Sequence, residues 1–342
     1  MKIKYLILSI LCTLGMAALG MTTGFENYFD GRTLRLDYIF AGNHERQAVY
    51  FQQAYTLPYW AGRRARLTDM PLRGNGQIIL RRHGTDSLLY VHTFSTLFQE
   101  WLATEEATRV DRAFETSYLV PMPREKVDIT VRLTDFHNRV VASLTHTIDP
   151  ADILIRQLSS TGIPHHYVWK GQTIGKPDAK ADQQGARNFL PTEGYLDGMP
   201  DIAGCIDLAI LAEGYTEGQM GKFYADCQRV VDALFAHEPF TSLKGRFNVV
   251  AVASPSLDPG PSVPHLGRWS RTPALTHYDT FYSDRYLMSS QMHRIYDLLA
   301  GVPFEHVIVL ANTGIYGGGG IYNNITIMNS DHQTFVPVLV HE

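Results

Sequence analysis

The chain has 342 residues, of which 45% are hydrophobic and 11% aromatic, so it can bury a large core and has the length of about two domains. Thirty Lys and Arg against 34 Asp and Glu give a formal charge of -4, and no run of like charge occurs. This balance argues against nucleic acid and anionic membrane surfaces as partners.

The N-terminus has the pattern of a signal peptide. Lys2 and Lys4 precede an apolar run over residues 5–19 that is too short to span a bilayer, and small residues follow it. We therefore predict a signal peptide over residues 1–20 and a mature bacterial protein that begins at Met21 and is secreted, periplasmic or on the cell surface. An uncleaved anchor is the alternative. No further membrane segment is expected.

The mature chain keeps two cysteines, Cys205 and Cys227. The first begins a predicted strand, and the second lies about two turns into the helix that returns from it. Their Cα atoms should be more than about 7 Å apart, which is beyond the reach of a disulfide. We expect both thiols to be free.

Residues 21–150 read as an antiparallel β-sandwich. Short alternating segments recur there, several of them separated by turn-forming residues such as Gly42-Asn43 and His137-Asn138. The segments are TLRLDYIF, GQIILRR, LLYVHTFS, DITVRLTDF and VVASLTHTI. No titratable cluster among them suggests catalysis. Residues 151–201 then read as a polar connector with little periodicity.

Residues 202–342 have the pattern of an α/β domain. Ile206–Leu211 is a buried strand, a helix with apolar residues at helical spacing follows it, and RFNVVAVASPS and FEHVIVLAN continue the sheet. A second helix is predicted within DRYLMSSQMHRIYDLLAG. Alternating strands and helices predict a parallel sheet with right-handed crossovers. Residues 254–279 form a long insertion, which in a compact domain usually shapes a binding site.

A run of four glycines, Gly317–Gly320, precedes a strand predicted over Ile321–Met328. A phosphate loop is excluded, because the glycines are not followed by a Lys next to a Ser or Thr, and no helix begins after them. Backbone without side chains suits the close approach of another backbone beside an edge strand, and such a strand can bind an extended peptide. A flexible loop is an equally good interpretation of the composition.

His341 and Glu342 follow an apolar run after the sheet. In a His-Glu-x-x-His helix, two imidazoles one turn apart bind zinc and the Glu takes a proton from the metal-bound water. The pair alone is weak evidence, since His44-Glu45 and His237-Glu238 also occur. Its position after a parallel sheet and an edge strand is that of a zincin active-site helix.

The segments LAEGYT, KFYADC, FNVVAVASPS, DTFYSDRYL, FEHVIVLANTGIYGGGGIYN and VLVHE resemble the secreted bacterial zinc metallopeptidases called immunoglobulin A peptidases, metallopeptidase family 64. YFDGRTLRLDYIFAGN is similar to the start of that family's N-terminal β domain. The resemblance implies a two-domain α+β protein, a β-sandwich followed by a metzincin-like zincin domain. It also implies Zn2+ as the cofactor, and a protein or peptide as the substrate, possibly immunoglobulin.

By that resemblance, His341 is the first zinc ligand and Glu342 is the general base. The family's second histidine and acidic ligand would follow Glu342, so the chain as given is expected to be truncated, to bind zinc weakly and to be inactive alone. We expect the glycine-flanked edge strand to bind substrate. The predicted substrate-binding residues are Gly317, Gly318, Gly319, Gly320, Ile321, Tyr322 and Asn323.

The alternative function is an exported adhesion or carbohydrate-binding protein without enzymatic activity. Its binding module would be the β domain, with Trp60, Trp101 or Trp169 stacking on sugars. Oligomeric state does not follow from the sequence.

Overall fold

A computed structural model describes residues 24–70, 72–171 and 200–341. The predicted signal peptide and Glu342 lie outside the described residues, as does most of the predicted connector. The first half contains α1 (Phe25–Tyr28), β1 (Phe29–Gly42), β2 (Gln47–Leu57), β3 (Gly76–Arg82), β4 (Leu88–Phe94), α2 (Leu97–Trp101), β5 (Arg112–Pro123), β6 (Val127–Thr134), β7 (Val140–Ile148) and β8 (Arg156–Gln157). The second half contains β9 (His165–Trp169), β10 (Ile206–Glu213), α3 (Met220–Leu234), α4 (Phe240–Leu243), β11 (Phe247–Val252), α5 (Met292–Leu298), β12 (His306–Ala311), β13 (Gly318–Ile321), β14 (Ile325–Asn329) and α6 (Phe335–His341).

The fold class is confirmed: a β-rich N-terminal region precedes an α/β region. Two four-stranded sheets, ordered β5-β1-β2-β8 and β4-β3-β6-β7, form the first region. Aromatic residues on their inner faces pack together, as in the pair Phe40 on β1 and Phe94 on β4, whose ring centroids are 6.1 Å apart. All five predicted strand segments are strands. Three more, β2, β5 and β8, complete the first sheet.

A six-stranded sheet, ordered β13-β14-β12-β10-β11-β9, forms the second region. Its four central strands are parallel, as predicted. On β10, Leu208 and Ile210 face α3 and α6, while Ala209 and Leu211 face the opposite side. Burial of both faces explains why these strands are continuously apolar in the sequence.

The residues predicted as a connector include two strands. β8 pairs with β2 in the sandwich, and β9 joins the far edge of the six-stranded sheet beside β11. Both are short, so they leave too few alternating positions for a sequence pattern to be seen. The segment that reads as a polar connector therefore contains the strands β8 and β9.

The two regions share one core. A single cluster of buried apolar residues extends from the sandwich to α5 and to the face of the six-stranded sheet opposite α3 and α6. Arg35 on β1 is fully buried and bonds to Asp37 at 2.7 Å and to Asp297 at 2.6 Å, so an ionic contact crosses the junction. The two regions are packed as one body.

The three tryptophans named for sugar stacking pack against other residues of the protein. Trp60 is 4% exposed and Trp101 is fully buried. Trp169 packs on Phe235, with ring centroids 5.0 Å apart. Cys205 and Cys227 are both buried and free, as predicted. No helix in the described ranges combines the length and the apolar character needed to cross a bilayer.

Candidate active site

A cavity of about 620 Å³ lies between the edge strand β13, the helix α6 and the segment that follows the long insertion. It is lined by Glu100, Ser283, Arg285, Tyr286, Tyr316, Gly317, Gly318, Gly319, Gly320, Thr334, Pro337, Val338 and His341. The glycine run and His341, which are separated in the sequence and were assigned to one site from it, therefore meet at one cavity. Their functional roles stay predictions.

His341 is placed by the amphipathic pattern of α6. Phe335 and Leu339 are buried against the face of the sheet that α3 also covers. Val338 precedes His341 by three residues and Pro337 precedes it by four, so both share a face of the helix with His341, and all three line the cavity. His341 is exposed at the end of the helix.

The start of α6 is fixed by a charged network on α3. The carboxylate of Asp226, buried at 3% exposure, accepts hydrogen bonds from Lys222 at 2.6 Å, Arg229 at 2.8 Å and the hydroxyl of Tyr215 at 2.9 Å. Arg229 also donates to the carbonyl of Ser330 at 3.1 Å and lies 4.7 Å from the ring centroid of Phe335. These contacts position the helix that carries His341.

The glycine run forms the edge strand itself. We predicted one strand over Ile321–Met328, but the chain turns back within that range, so β13 and β14 are an antiparallel hairpin with Ile321 opposite Ile325. Asn323 in the turn has φ of 52°, a left-handed conformation that Asn adopts more readily than most residues. The flexible-loop interpretation is wrong, because Gly318, Gly319 and Gly320 belong to a paired strand.

Two of the glycines are required by residues 285–288, which follow the long insertion and run alongside β13. A Cβ on Gly317 would lie 2.5 Å from the carbonyl oxygen of Arg285. A Cβ on Gly319 would lie 2.5 Å from the ring of Tyr286 and 2.8 Å from Sδ of Met288. The close backbone approach expected at the glycine run is thus made by the protein's own chain.

The outer edge of β13 is paired at Gly318 and open at Gly320. Gly318 donates to the carbonyl of Arg285 and accepts from the N–H of Leu287, both at 3.2 Å. Because N–H and C=O groups alternate between the two sides of a strand, those of Gly320 point to the same outer edge. In the described part of the chain, no backbone group outside the sheet bonds to Gly320.

Three of the predicted substrate-binding residues lie away from this cavity. Ile321 is buried at 4% exposure. Tyr322 and Asn323 line a second cavity of about 180 Å³ at the junction with the sandwich. There the amide of Asn323 donates to the carbonyl of Thr93 at 2.8 Å. The hairpin tip is therefore in contact with the N-terminal region and not with the cavity at His341.

Glu213, at the carboxyl end of β10, holds the insertion onto the sheet. Its fully buried carboxylate accepts four hydrogen bonds of 2.5 to 2.9 Å from Thr272, Ala274 and Thr276. Burial raises the pKa of this carboxyl, and the four donors oppose that rise. The sequence offered one signal for this role, an acidic residue at the end of a buried strand.

Two side chains at the cavity, the imidazole of His341 and the carboxylate of Glu100, are of types that bind zinc. Among residues 24–70, 72–171 and 200–341, no group of three or more His, Cys, Asp or Glu side chains could hold a metal ion. A catalytic zinc site needs three protein ligands. The fit to a metal is thus partial, and any further ligands lie outside the described residues.

Comparison with family models decides the relationship. The model of the peptidase M64 N-terminus matches residues 24–145, and that of the IgA peptidase M64 matches residues 196–342. The chain belongs to the M64 peptidase family. A search of the curated proteins finds no match. In this M64 chain the family boundary coincides with the change from the sandwich to the six-stranded sheet, and His341 lies within the peptidase match.

Sequence reasoning missed several M64 cavity residues that come from distant segments. Glu100 belongs to α2 of the sandwich, and Arg285 and Tyr286 follow the insertion. Only DTFYSDRYL, which includes the last two, was noticed, and then only as a family motif. No periodicity marks any of them, because their proximity is created by tertiary packing.

Proposed function

We propose that this M64 chain carries the substrate cavity of an exported zinc endopeptidase that hydrolyses peptide bonds in proteins. The observation that supports the proposal best is the common cavity of His341 and the glycine edge strand, at the end of a parallel sheet. Export rests on the signal-peptide pattern of residues 1–20.

The edge strand is proposed to bind the substrate backbone. The outward N–H and C=O of Gly320 would pair with one residue of an extended peptide, and Gly318 is already paired with Arg285 and Leu287. A peptide on this edge would lie in the cavity that His341 lines. The absence of side chains at the glycines lets the backbone of the substrate approach closely.

A zinc ion bound here would polarise the peptide carbonyl and lower the pKa of a bound water. His341 would hold it as a neutral imidazole, together with ligands outside the described residues. Glu342 is proposed to accept the proton of the attacking water, as the His-Glu pair of the motif implies. The neighbouring turn of α6 keeps His341 directed at the cavity.

The test is hydrolysis of an unfolded protein by the product of the complete reading frame, with and without a chelator. The proposal predicts cleavage that stops on chelation, returns with added zinc and is absent from a Glu342→Gln variant. Cleavage that persists in excess chelator would overturn the assignment as a metallopeptidase. A purified, folded protein that cleaves no protein substrate at any zinc concentration would overturn the assignment as a peptidase.

A further inference from the structure

Arg285 brings a positive charge to the cavity that His341 lines. It is part of the cavity wall and is exposed. In the described part of the chain, neither an ion pair nor a hydrogen bond engages its guanidinium. Arg271 of the long insertion, by contrast, is bonded to Asp258 at 2.8 Å. An arginine whose donors are free beside a cavity can bind an anion that enters it.

The backbone of Arg285 is fixed to the edge strand. Its carbonyl accepts a hydrogen bond from the N–H of Gly318 at 3.2 Å, and the N–H of Leu287 donates to the carbonyl of Gly318 at 3.2 Å. The turn that contains Arg285 is closed by the N–H of Tyr286, which donates to the carbonyl of Ser283 at 3.0 Å. Because the chain is held on both sides of Arg285, its side chain starts from a defined point beside β13.

Arg285 is close to the edge proposed to bind the substrate backbone. It is next to Gly318, whereas the open backbone groups belong to Gly320 of the same strand. Two residues of a strand span about 7 Å. A peptide that pairs with Gly320 and continues along the cavity therefore brings the side chain about two residues further on close to Arg285.

Two carboxylates near Arg285 limit the strength of the site. Glu100 lines the same cavity and accepts a hydrogen bond from the hydroxyl of Tyr286. Asp284 precedes Arg285 in the chain, is exposed and does not line the cavity. Neither forms an ion pair with Arg285, which has none among the described residues. The expected selectivity is therefore that of one exposed charge and not that of a basic pocket.

We propose that Arg285 is a specificity-determining residue that binds a carboxylate of the substrate near the cleaved bond. This inference rests on the proposed function. The planar guanidinium can donate two parallel hydrogen bonds to a carboxylate, which an ammonium group cannot do. The carboxylate can belong to an Asp or Glu side chain or to the C-terminus of a peptide, and the test separates these two sources.

The experiment measures kcat/KM of the product of the complete reading frame on versions of one extended peptide with an amidated C-terminus. Glu, Gln or Lys is placed in turn at each position. Wild type should cleave the Glu version about fivefold faster than the Gln version at one position, and Arg285→Gln should cleave both equally. Arg268→Gln is the matched control, because Arg268 is an exposed arginine of the insertion that does not line the cavity.

A Gln version with a free C-terminal carboxylate tests the other source. If the free C-terminus raises the rate in wild type and not in Arg285→Gln, Arg285 binds the terminal carboxylate. Two outcomes would overturn the proposal. One is a wild type that gains from neither carboxylate, and the other is a preference for carboxylates that survives in Arg285→Gln or is lost equally in Arg268→Gln.

Arg285→Lys tests whether the positive charge selects the substrate. Lysine keeps the charge and lacks the planar fork, so the preference for Glu should be smaller than in wild type and larger than in Arg285→Gln. The side chain is exposed, so both variants should fold with an unchanged circular dichroism spectrum. A folded Arg285→Lys protein with no preference for Glu would contradict the role of the charge.

A binding measurement keeps the inference separate from the proposed function. If wild type cleaves none of the peptides, titration calorimetry with the Glu, Gln and Lys versions tests Arg285 directly. The proposal predicts the tightest binding by the Glu version, and about fivefold weaker binding of that version to Arg285→Gln. Equal affinities for the three versions, or no binding of any of them, would refute it.

Discussion

Replacing Glu213 by Ala should loosen the long insertion while the sheet stays folded. The carboxylate accepts hydrogen bonds from the hydroxyls of Thr272 and Thr276 and from the backbone N–H groups of Ala274 and Thr276. The hydroxyls can rotate toward other acceptors, but the two N–H groups cannot. Since a buried group left unsatisfied costs about 1–3 kcal/mol, Glu213→Ala should lower the free energy of unfolding by about 3–4 kcal/mol.

Glu213→Gln should destabilise the protein less than Glu213→Ala. Glutamine keeps one acceptor oxygen of the same size but turns an amide NH2 toward a backbone donor, so a loss of about 1–2 kcal/mol is expected. Urea denaturation gives both values, and hydrogen exchange should rise over residues 272–278 before it rises in β10. Glu217→Ala is the control, because Glu217 is exposed. A loss below about 1 kcal/mol for Glu213→Ala would refute the reasoning.

Three further changes test other contacts. Gly319→Ala should lower the free energy of unfolding by about 1–3 kcal/mol in urea, because its Cβ would lie 2.5 Å from the ring of Tyr286. Asp226→Ala should cost about 2–3 kcal/mol and speed hydrogen exchange in α6, because the buried Tyr215 hydroxyl loses its acceptor while the two cations stay partly solvated. Burial raises the pKa of Asp207 from 3.8 to about 8, so its contribution to stability is complete below about pH 4 and is lost as the pH rises toward 8. Between pH 5 and pH 8 the titration of Asp207 should lower the free energy of unfolding of the wild type by up to about 4 kcal/mol. Denaturation at several pH values should show a smaller fall for Asp207→Asn.

Each of these has an outcome that contradicts it. Gly221→Ala is the control for Gly319→Ala, because no atom lies within 4 Å of the new Cβ at this helical site, and it should stabilise the protein by about 0.5–1 kcal/mol. Equal effects of the two substitutions would contradict the close approach of Tyr286 to Gly319. Unchanged hydrogen exchange in α6 after Asp226→Ala would contradict the role of the Asp226 network in positioning that helix. Parallel pH profiles for wild type and Asp207→Asn would mean that Asp207 titrates normally.

The strands of this chain were predictable where one or both faces are buried over several residues. β3 and β7 have the predicted bounds, because each begins and ends at a turn. The apolar run of β10 was visible because the sheet is covered on both sides. The pairing partners of the strands could not be predicted from the sequence. For example, β9 has only five residues, and no local pattern indicates that it pairs with β11.

The candidate site was half predictable. The motif placed His341 on a helix, and the glycine run suggested an edge strand beside it. The sequence could not show that Gly317 and Gly319 are required by the chain at residues 285–288, or that Tyr322 and Asn323 turn toward the sandwich. Those relations depend on contacts between residues far apart in the chain, which carry no local pattern.

The most direct test of the account is the zinc content of the protein produced from its complete reading frame, compared with that of its His341→Ala variant. His341 is exposed, so the variant should fold with an unchanged circular dichroism spectrum. The account predicts about one zinc per chain in the wild type and a large loss in the variant, since three protein ligands hold a catalytic zinc. A folded His341→Ala protein that retains one zinc per chain would contradict the placement of the metal centre at this cavity.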